Sequence, residues 1–276
     1  MQHERLLCLD IETVPDRELI PPDWGDRFPK PAWHEVVAIS FVEAGIEAEG
    51  QGERYRVRCC RSGGEASWDE ARLLASFWRN FGSVPTRVVT WNGRGFDMPV
   101  LRLRALIHGV QAGAWYGAGT RFANYTQRYS PDWHCDLMEQ LSDYGACARM
   151  GLDEVARAMG LPGKLGGRGS EVADMVSRGD VEAVRAYCEA DVMNLYGLYV
   201  RWALLTGRTD RVGHDVSMES LASCLADGRA MNPHHGEFLD TWLASRRPMP
   251  MLIGGGARAT VAGLDSSASD RPRPNT

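Results

Sequence analysis

Residues 6–12 read LLCLDIE. Strand side chains alternate between two faces, so a run that is apolar at every position from Leu6 to Leu9 needs cover on both sides. Residues 4–11 therefore read as a central strand of an α/β sheet with helices on each face. Two acids close the run. Asp10 and Glu12 stand two apart and project to the same face. In open α/β sheets ligand sites form at the carboxyl ends of central strands, which places the pair at the strand's exit rather than in its buried middle. Taken alone, a D-x-E pair arises about once by chance in a chain this long, and most such pairs are solvated.

The remaining pattern supplies the rest of a sheet. Residues 34–44 (HEVVAISFVEA) and 54–60 (RYRVRCC) have strand composition, and the Gly/Glu-rich stretch 44–53 suits the hairpin between them. Residues 67–81 carry apolar side chains at helical spacing, with Ser67 as N-cap. A fourth strand follows over 86–92, then a helix over 98–109 with Pro99 at its start and Gly109 at its end. Residues 112–132 read as a long surface loop, and a fifth strand lies near His134 to Leu137. Helices are expected over 152–160, 171–179 and 180–205, with a Gly-rich loop before the second of them. Beyond 209 the periodicity weakens, although 236–247 forms one more helix pattern. The expected organisation is one catalytic-type domain over 1–208, a helical extension over 209–253 and a disordered tail over 254–276.

Two further acids share the character of the first pair. In WNGRGFDMPVL, Asp97 follows the fourth strand and precedes a helix. With Pro99 as first helical residue, Asp97 falls just outside the helix, its carboxylate facing a site and favoured in ionised form by the helix dipole. An ordinary acid at a helix start is the plainer alternative. In YCEAD, residues 187–191, Tyr187 and Asp191 are four apart and share a helix face. Asp is a poor helix-interior residue, and Asp191 stands among Val184, Val192, Leu195 and Leu198; a solvated face is the plainer reading here. Four carboxylates converging on one site would repel one another unless compensated. Hard oxygen ligands suit Mg²⁺ or Mn²⁺, and two such ions about 4 Å apart can clamp the attacking and leaving oxygens of a phosphoryl displacement.

D-I-E-T from Asp10, N-x-x-x-F-D from Asn92 to Asp97 with M-P-V-L after it, and Y-x-x-x-D from Tyr187 to Asp191, in that order, resemble the three motifs of DEDD-superfamily 3′-5′ exonucleases with tyrosine in the third motif. The chain is most similar to stand-alone exonucleases related to the proofreading domain of family-B DNA polymerases. The resemblance spans residues 10–191 and implies a ribonuclease-H-like α/β fold, a mixed five-stranded sheet flanked by helices with its second strand antiparallel. It implies two divalent cations, Mg²⁺ or Mn²⁺. Asp10 would bridge both, Glu12 and Asp191 would complete the first site, and Asp97 would hold the second. Tyr187 would orient the attacking water, and cleavage would release nucleoside 5′-monophosphates from single-stranded DNA 3′ ends. Asp136 resembles an acid found between the second and third motifs of such enzymes. Asn92, Phe96, Asp136 and Lys164 are the candidates for substrate contact, Phe96 by stacking on bases and Lys164 on the backbone. Trp91, Trp115 and Tyr116 are further aromatic candidates, with Trp91 more simply a core residue. His134 reads as a surface or packing residue, because Ala186 occupies the place of the histidine that the other DEDD subclass uses.

Composition limits the rivals. The net charge of −5 opposes nucleic-acid binding only until the positive charge of two cations in the acid cluster is counted. Seven scattered cysteines without a C-x-x-C suggest neither a disulfide framework nor a zinc site, and a reducing cytoplasm is the expected compartment. No apolar run reaches the roughly 18 residues of a membrane helix, and no export signal is evident. A ribonuclease D-like exoribonuclease would use the same acids and tyrosine. A non-catalytic nucleic-acid-binding module of the same fold and a hydrolase of small phosphodiesters are the remaining alternatives.

Overall fold

The computed structural model describes residues 3–49, 52–165 and 169–245. Strands β1 (Arg5–Pro15), β2 (His34–Glu49) and β3 (Gly52–Ser62) form an antiparallel meander. Strands β4 (Thr86–Thr90) and β5 (His134–Asp136) add on the other side of β1, in parallel, giving the order β3-β2-β1-β4-β5. This is the mixed five-stranded, ribonuclease-H-like sheet expected from the sequence.

Helices cover both faces, as the doubly apolar β1 demands. On one face Leu7, Leu9 and Ile11 pack against α1 (Glu70–Phe81) and α2 (Asp97–Ile107), through Leu74, Trp78, Met98 and Leu101. The short helix α3 (Gly113–Gly117) joins that layer through Trp115. Beyond β5 come α4 (Leu137–Leu141), α5 (Leu152–Ala158) and α6 (Val172–Ser177), then the long α7 (Val181–Leu205). On the opposite face Leu6 and Cys8 pack with α7 residues such as Val192 and Leu195. Every residue from Tyr187 to Val200 is buried, because α8 (Arg211–Gly228) and α9 (Pro233–Leu243) close over α7 with Met218, Leu221, Phe238 and Trp242. No helix among the described residues is long and apolar enough to cross a membrane.

Several expectations are corrected. Strand β1 does not end at the acids but runs to Pro15, with a bulge between Glu12 and Thr13. What ends is its partner: pairing with β4 stops at Cys8↔Val89. Asp10 and Glu12 thus lie in a strand body whose one edge has been vacated. Asp97 is the first residue of α2 rather than a residue outside it, and Pro99 is the third; any first-turn position lacks an intrahelical acceptor for its N–H, so proline fits there. The N-cap of α1 is Asp69, which accepts from Arg72 N, rather than Ser67. Residues 112–132 are not a plain surface loop, since Trp115 and Tyr125 are buried and stacked 4.8 Å apart, with the Tyr125 hydroxyl donating to Thr86 O. The burial of Trp115 removes it as a base-stacking candidate, and Trp91 packs against the core as expected. His134 is a buried packing residue whose Nε2 meets Thr90 Oγ1 at 2.9 Å. The expected tail, 254–276, lies outside the described residues.

Helix α8 falls inside the expected helical extension, although weak periodicity leaves its bounds unmarked in the sequence, and it does a specific job. Edge strand β3 presents unpaired backbone groups, and α8 meets them with side chains: Tyr55 N donates to Ser217 Oγ at 2.9 Å and Val57 N to Ser220 Oγ at 2.9 Å. Ser217→Ala would leave the buried Tyr55 N–H without its acceptor. It is expected to cost about 1–2 kcal/mol of unfolding free energy in urea denaturation.

Candidate active site

The site lies where β4 leaves the sheet. After Thr90 the chain turns through residues 91–96 into α2, exposing the flank of β1 at Asp10 and Glu12. That turn is held by Asp136 at the end of β5. Its carboxylate accepts from Asn92 N at 3.0 Å, Arg94 N at 2.9 Å and Glu139 N at 3.4 Å. Asn92 takes a left-handed conformation, φ 63°, and next to it a Cβ on Gly93 would come within 2.4 Å of the Thr90 side chain. Asp136 is 1% exposed with both oxygens committed to backbone donors, so the direct substrate contact expected of it is corrected to support of the 92–97 turn. Asn92 likewise shapes that turn, its carbonyl accepting from Gly95 N and Phe96 N.

Asp97 enters the crevice from the start of α2. It is 3% exposed, and the backbone of Ile11 on β1 favours its ionised form against burial. From the other layer, α7 brings Tyr187 and Asp191, one turn apart as their spacing required. The structure therefore gathers Asp10, Glu12, Asp97 and Asp191 from β1, α2 and α7. They act on one another strongly. Burial, then the charges of Asp97, Asp191 and Glu12, push Asp10 well above the usual carboxylate range. Burial and Asp191 push Glu12 up to about 8, against the opposing pull of Lys164. Burial raises Asp97 to about 7, and burial raises Asp191 to about 6 despite Lys164.

Cys188 was not singled out by the sequence. The oxygens of Asp10 and Glu12 and the Cys188 sulfur lie within 4.8 Å of one another, and Cys188 Sγ donates to Asp10 Oδ2 at 3.5 Å. Burial and the Asp10 carboxylate push the thiol's pKa up, in keeping with its role as a donor to Asp10.

Lys164 reaches the centre of the site, where its Nζ donates to the Tyr187 hydroxyl at 2.6 Å. The loop that carries it is built to do so. Gly163 takes φ +71°, its N donates to Asn194 Oδ1 at 3.0 Å, its carbonyl accepts from Asn194 Nδ2 at 2.8 Å, and Lys164 N donates to Asp153 Oδ1 at 2.7 Å. Asn194, 1% exposed and three residues past Asp191, is a positioning residue that the sequence reading missed. A polar residue inside an apolar helix stretch was the available signal. Phe96 stands edge-on to His34 at 4.9 Å and 5.8 Å from Phe28, which is 73% exposed.

The donor set fits divalent cations. All four acids offer hard oxygens, and Asp191 Oδ1 is buried without a hydrogen-bond partner among the described residues. Buried polar atoms are normally satisfied. An atom left bare beside mutually repelling carboxylates is what a cation would complete.

Fold and site together define a ribonuclease-H-like domain with carboxylates gathered at the open flank of its central strand. Residues 26–242, more than half of the chain, match the family described as predicted 3′-5′ exonuclease related to the exonuclease domain of PolB, and the chain belongs to that family. The match begins after Asp10 and Glu12, whose membership of the site rests on the motif and the geometry. No curated protein matches the chain. Among solved structures, it is similar to the family B DNA polymerase of the hyperthermophilic archaeon Pyrobaculum calidifontis, at 20% identity and TM-score 0.47, over 83% of this chain and 29% of the polymerase. It is also similar to E. coli exonuclease I in complex with a dA16 oligonucleotide, at 13% identity and TM-score 0.36, over 73% of this chain and 45% of that enzyme.

Proposed function

We propose that this chain is a divalent-metal-dependent 3′-5′ exonuclease that removes nucleoside 5′-monophosphates from single-stranded DNA ends. The observation that carries the reading is the gathering of Asp10, Glu12, Asp97 and Asp191 around the unpartnered Asp191 Oδ1. These four residues would hold two ions, Mg²⁺ or Mn²⁺. Bound there, the ions supply neutralisation of the carboxylates and Lewis acidity toward a scissile phosphate and an attacking water.

The chain's own groups do the rest. Burial and the surrounding acids push the Tyr187 hydroxyl above its ordinary pKa, so it stays protonated and acts as a donor rather than a base. Lys164 already donates to its oxygen, which leaves the phenolic hydrogen to point at a phosphate oxygen or the attacking water. The Lys164 ammonium also brings positive charge to an otherwise acidic site, where a phosphodiester must approach. Phe96, with Phe28 beside it, offers a face on which the terminal base can stack.

Lys164→Ala is therefore expected to lower the maximal rate by about 10- to 100-fold, the usual effect of losing a group that orients a catalytic one. Single-turnover rates at saturating metal would measure it, with Asn194→Ala giving a smaller loss in the same direction. The reading as a whole is tested with 5′-labelled and 3′-labelled single-stranded DNA in Mg²⁺, Mn²⁺ or EDTA. Metal-dependent shortening from the 3′ end is the expected result; a matched RNA cleaved faster would reassign the substrate to RNA. No cleavage of either polymer with either metal overturns it.

A further inference from the structure

Glu189 sits on α7 between Tyr187 and Asp191, yet two positions along a helix turn the side chain by about 200°. It faces away from the acid cluster. At 6% exposure its carboxylate is buried, and its two oxygens are used differently. Oε1 accepts from Ser62 N at 2.7 Å and Ser62 Oγ at 2.8 Å, at the end of β3. Oε2 meets His234 Nε2 at 2.7 Å and His235 Nε2 at 3.2 Å, both from the first turn of α9. These two histidines are its ion-pair partners among the described residues.

The convergence is imposed by the packing. Neighbouring residues on a helix diverge by about 100°, so two adjacent rings seldom address one atom. Here His235 is 2% exposed and fits beneath Gly228, where a Cβ would stand 2.7 Å from its Nδ1. That Nδ1 has no partner among the described residues, so the ring's polar contact is made through Nε2. A buried carboxylate needs a compensating positive charge, which a cation shared with the two imidazoles would supply. The ligand atoms of all three residues lie within 4.8 Å of one another.

We propose that Glu189, His234 and His235 form a second metal site, of the zinc class, that pins α9 to α7 and to the end of β3. Two imidazole nitrogens and one carboxylate oxygen suit borderline cations such as Zn²⁺ or Co²⁺, not the hard Mg²⁺ of an all-oxygen site. With bonds of about 2.0–2.2 Å, tetrahedral zinc holds its ligand atoms roughly 3.3–3.5 Å apart. The His235–Glu189 separation of 3.2 Å is already close to that. The His234 side chain, 24% exposed, has room to withdraw the remaining distance, and the fourth position falls to a solvent water. The site is independent of whether the acid cluster cuts DNA.

The test uses the full chain, stripped with a chelator and titrated with Zn²⁺ against a chromophoric zinc chelator in excess Mg²⁺. One zinc per chain is expected, retained in Asp10→Asn and weakened by about 100-fold in His234→Gln. Zinc should also raise the melting temperature of the unmodified chain and of Asp10→Asn, but not of His234→Gln. Zinc bound equally well by His234→Gln, or lost in Asp10→Asn, overturns the assignment, as does the absence of any zinc in the unmodified chain. X-ray absorption of the zinc-loaded unmodified chain needs no variant: imidazole scattering supports the site, and an all-oxygen shell overturns it.

Discussion

Asp10→Ala is expected to slow cleavage of a single-stranded 3′ end by about a thousandfold or more at saturating metal. Asp10 is the acid on which the other three converge: its pKa is raised by Asp97, Asp191 and Glu12 alike, after burial. It is thus the carboxylate that would lie nearest the shared charge of any cation held among the other three. Metal stabilisation of a phosphoryl-transfer transition state amounts to several kcal/mol, and each 1.36 kcal/mol is a factor of about ten in rate. Misfolding is not expected to confuse the result, since removing one of four repelling charges relieves the metal-free protein. Circular dichroism of the variant, beside single-turnover assays, checks both points. A folded Asp10→Ala protein that keeps its rate to within tenfold would show that the chemistry lies elsewhere.

The acids were legible because each obeys a local rule. Asp10 and Glu12 share a strand face, and Tyr187 and Asp191 share a helix face, whatever the rest of the chain does. Where the sequence reading went astray, a distant element decided the outcome. Asp10 and Glu12 were placed at a strand exit, but β1 continues to Pro15 and it is the departure of β4 after Thr90 that opens the crevice. The sequence marks Asp136 only as a candidate contact, and the folded turn takes up its oxygens with Asn92, Arg94 and Glu139. The bounds of α8 within the helical extension are not legible because its inner face spends Ser217 and Ser220 on the edge of β3, which breaks the apolar stripe that marks a helix. Residues 112–132 looked solvated by composition, yet Trp115 and Tyr125 fill space under α1.

Positioning residues were the hardest to read. In the sequence only its charge marks Lys164. What brings it to Tyr187 is the pairing of Gly163 with Asn194, two residues that sequence separation hides from each other. Glu189 stood in plain view inside YCEAD, but its partners His234 and His235 come from a helix beginning more than forty residues later. Spacing rules describe one element at a time, and these contacts join three.

The gathered acids also make a prediction about stability that needs no substrate. An ordinary glutamate gives up its proton near 4.5, whereas Glu12 in the folded chain keeps it up to about 8, and Asp10 is held higher still than an ordinary aspartate. Between those values the folded protein binds more protons than the unfolded one, so its stability falls as pH rises. Buried histidines act in the opposite sense: burial lowers His3 to about 4 and lowers His134 as well, so they add stability as pH climbs toward their ordinary 6.5 and little beyond it. Above pH 7 the histidines no longer contribute, whereas buried thiols such as Cys8 and Cys60, raised by burial, add to the acids' slope as pH nears 9, and Glu12→Gln separates the two. In EDTA, raising the pH from 7 to 9 is expected to remove a few kcal/mol, or about 10 °C of melting temperature for a chain of this size. Glu12→Gln should flatten that slope and raise the melting temperature at pH 9. Mg²⁺ or Mn²⁺ should restore most of the loss in the unmodified protein, because a cation that binds only the folded state and favours ionised carboxylates removes the repulsion at its source. A melting temperature in EDTA that is flat from pH 7 to 9, and unchanged by Glu12→Gln, would mean that the carboxylates do not share one field, and the case for a metal-binding site would fall with it.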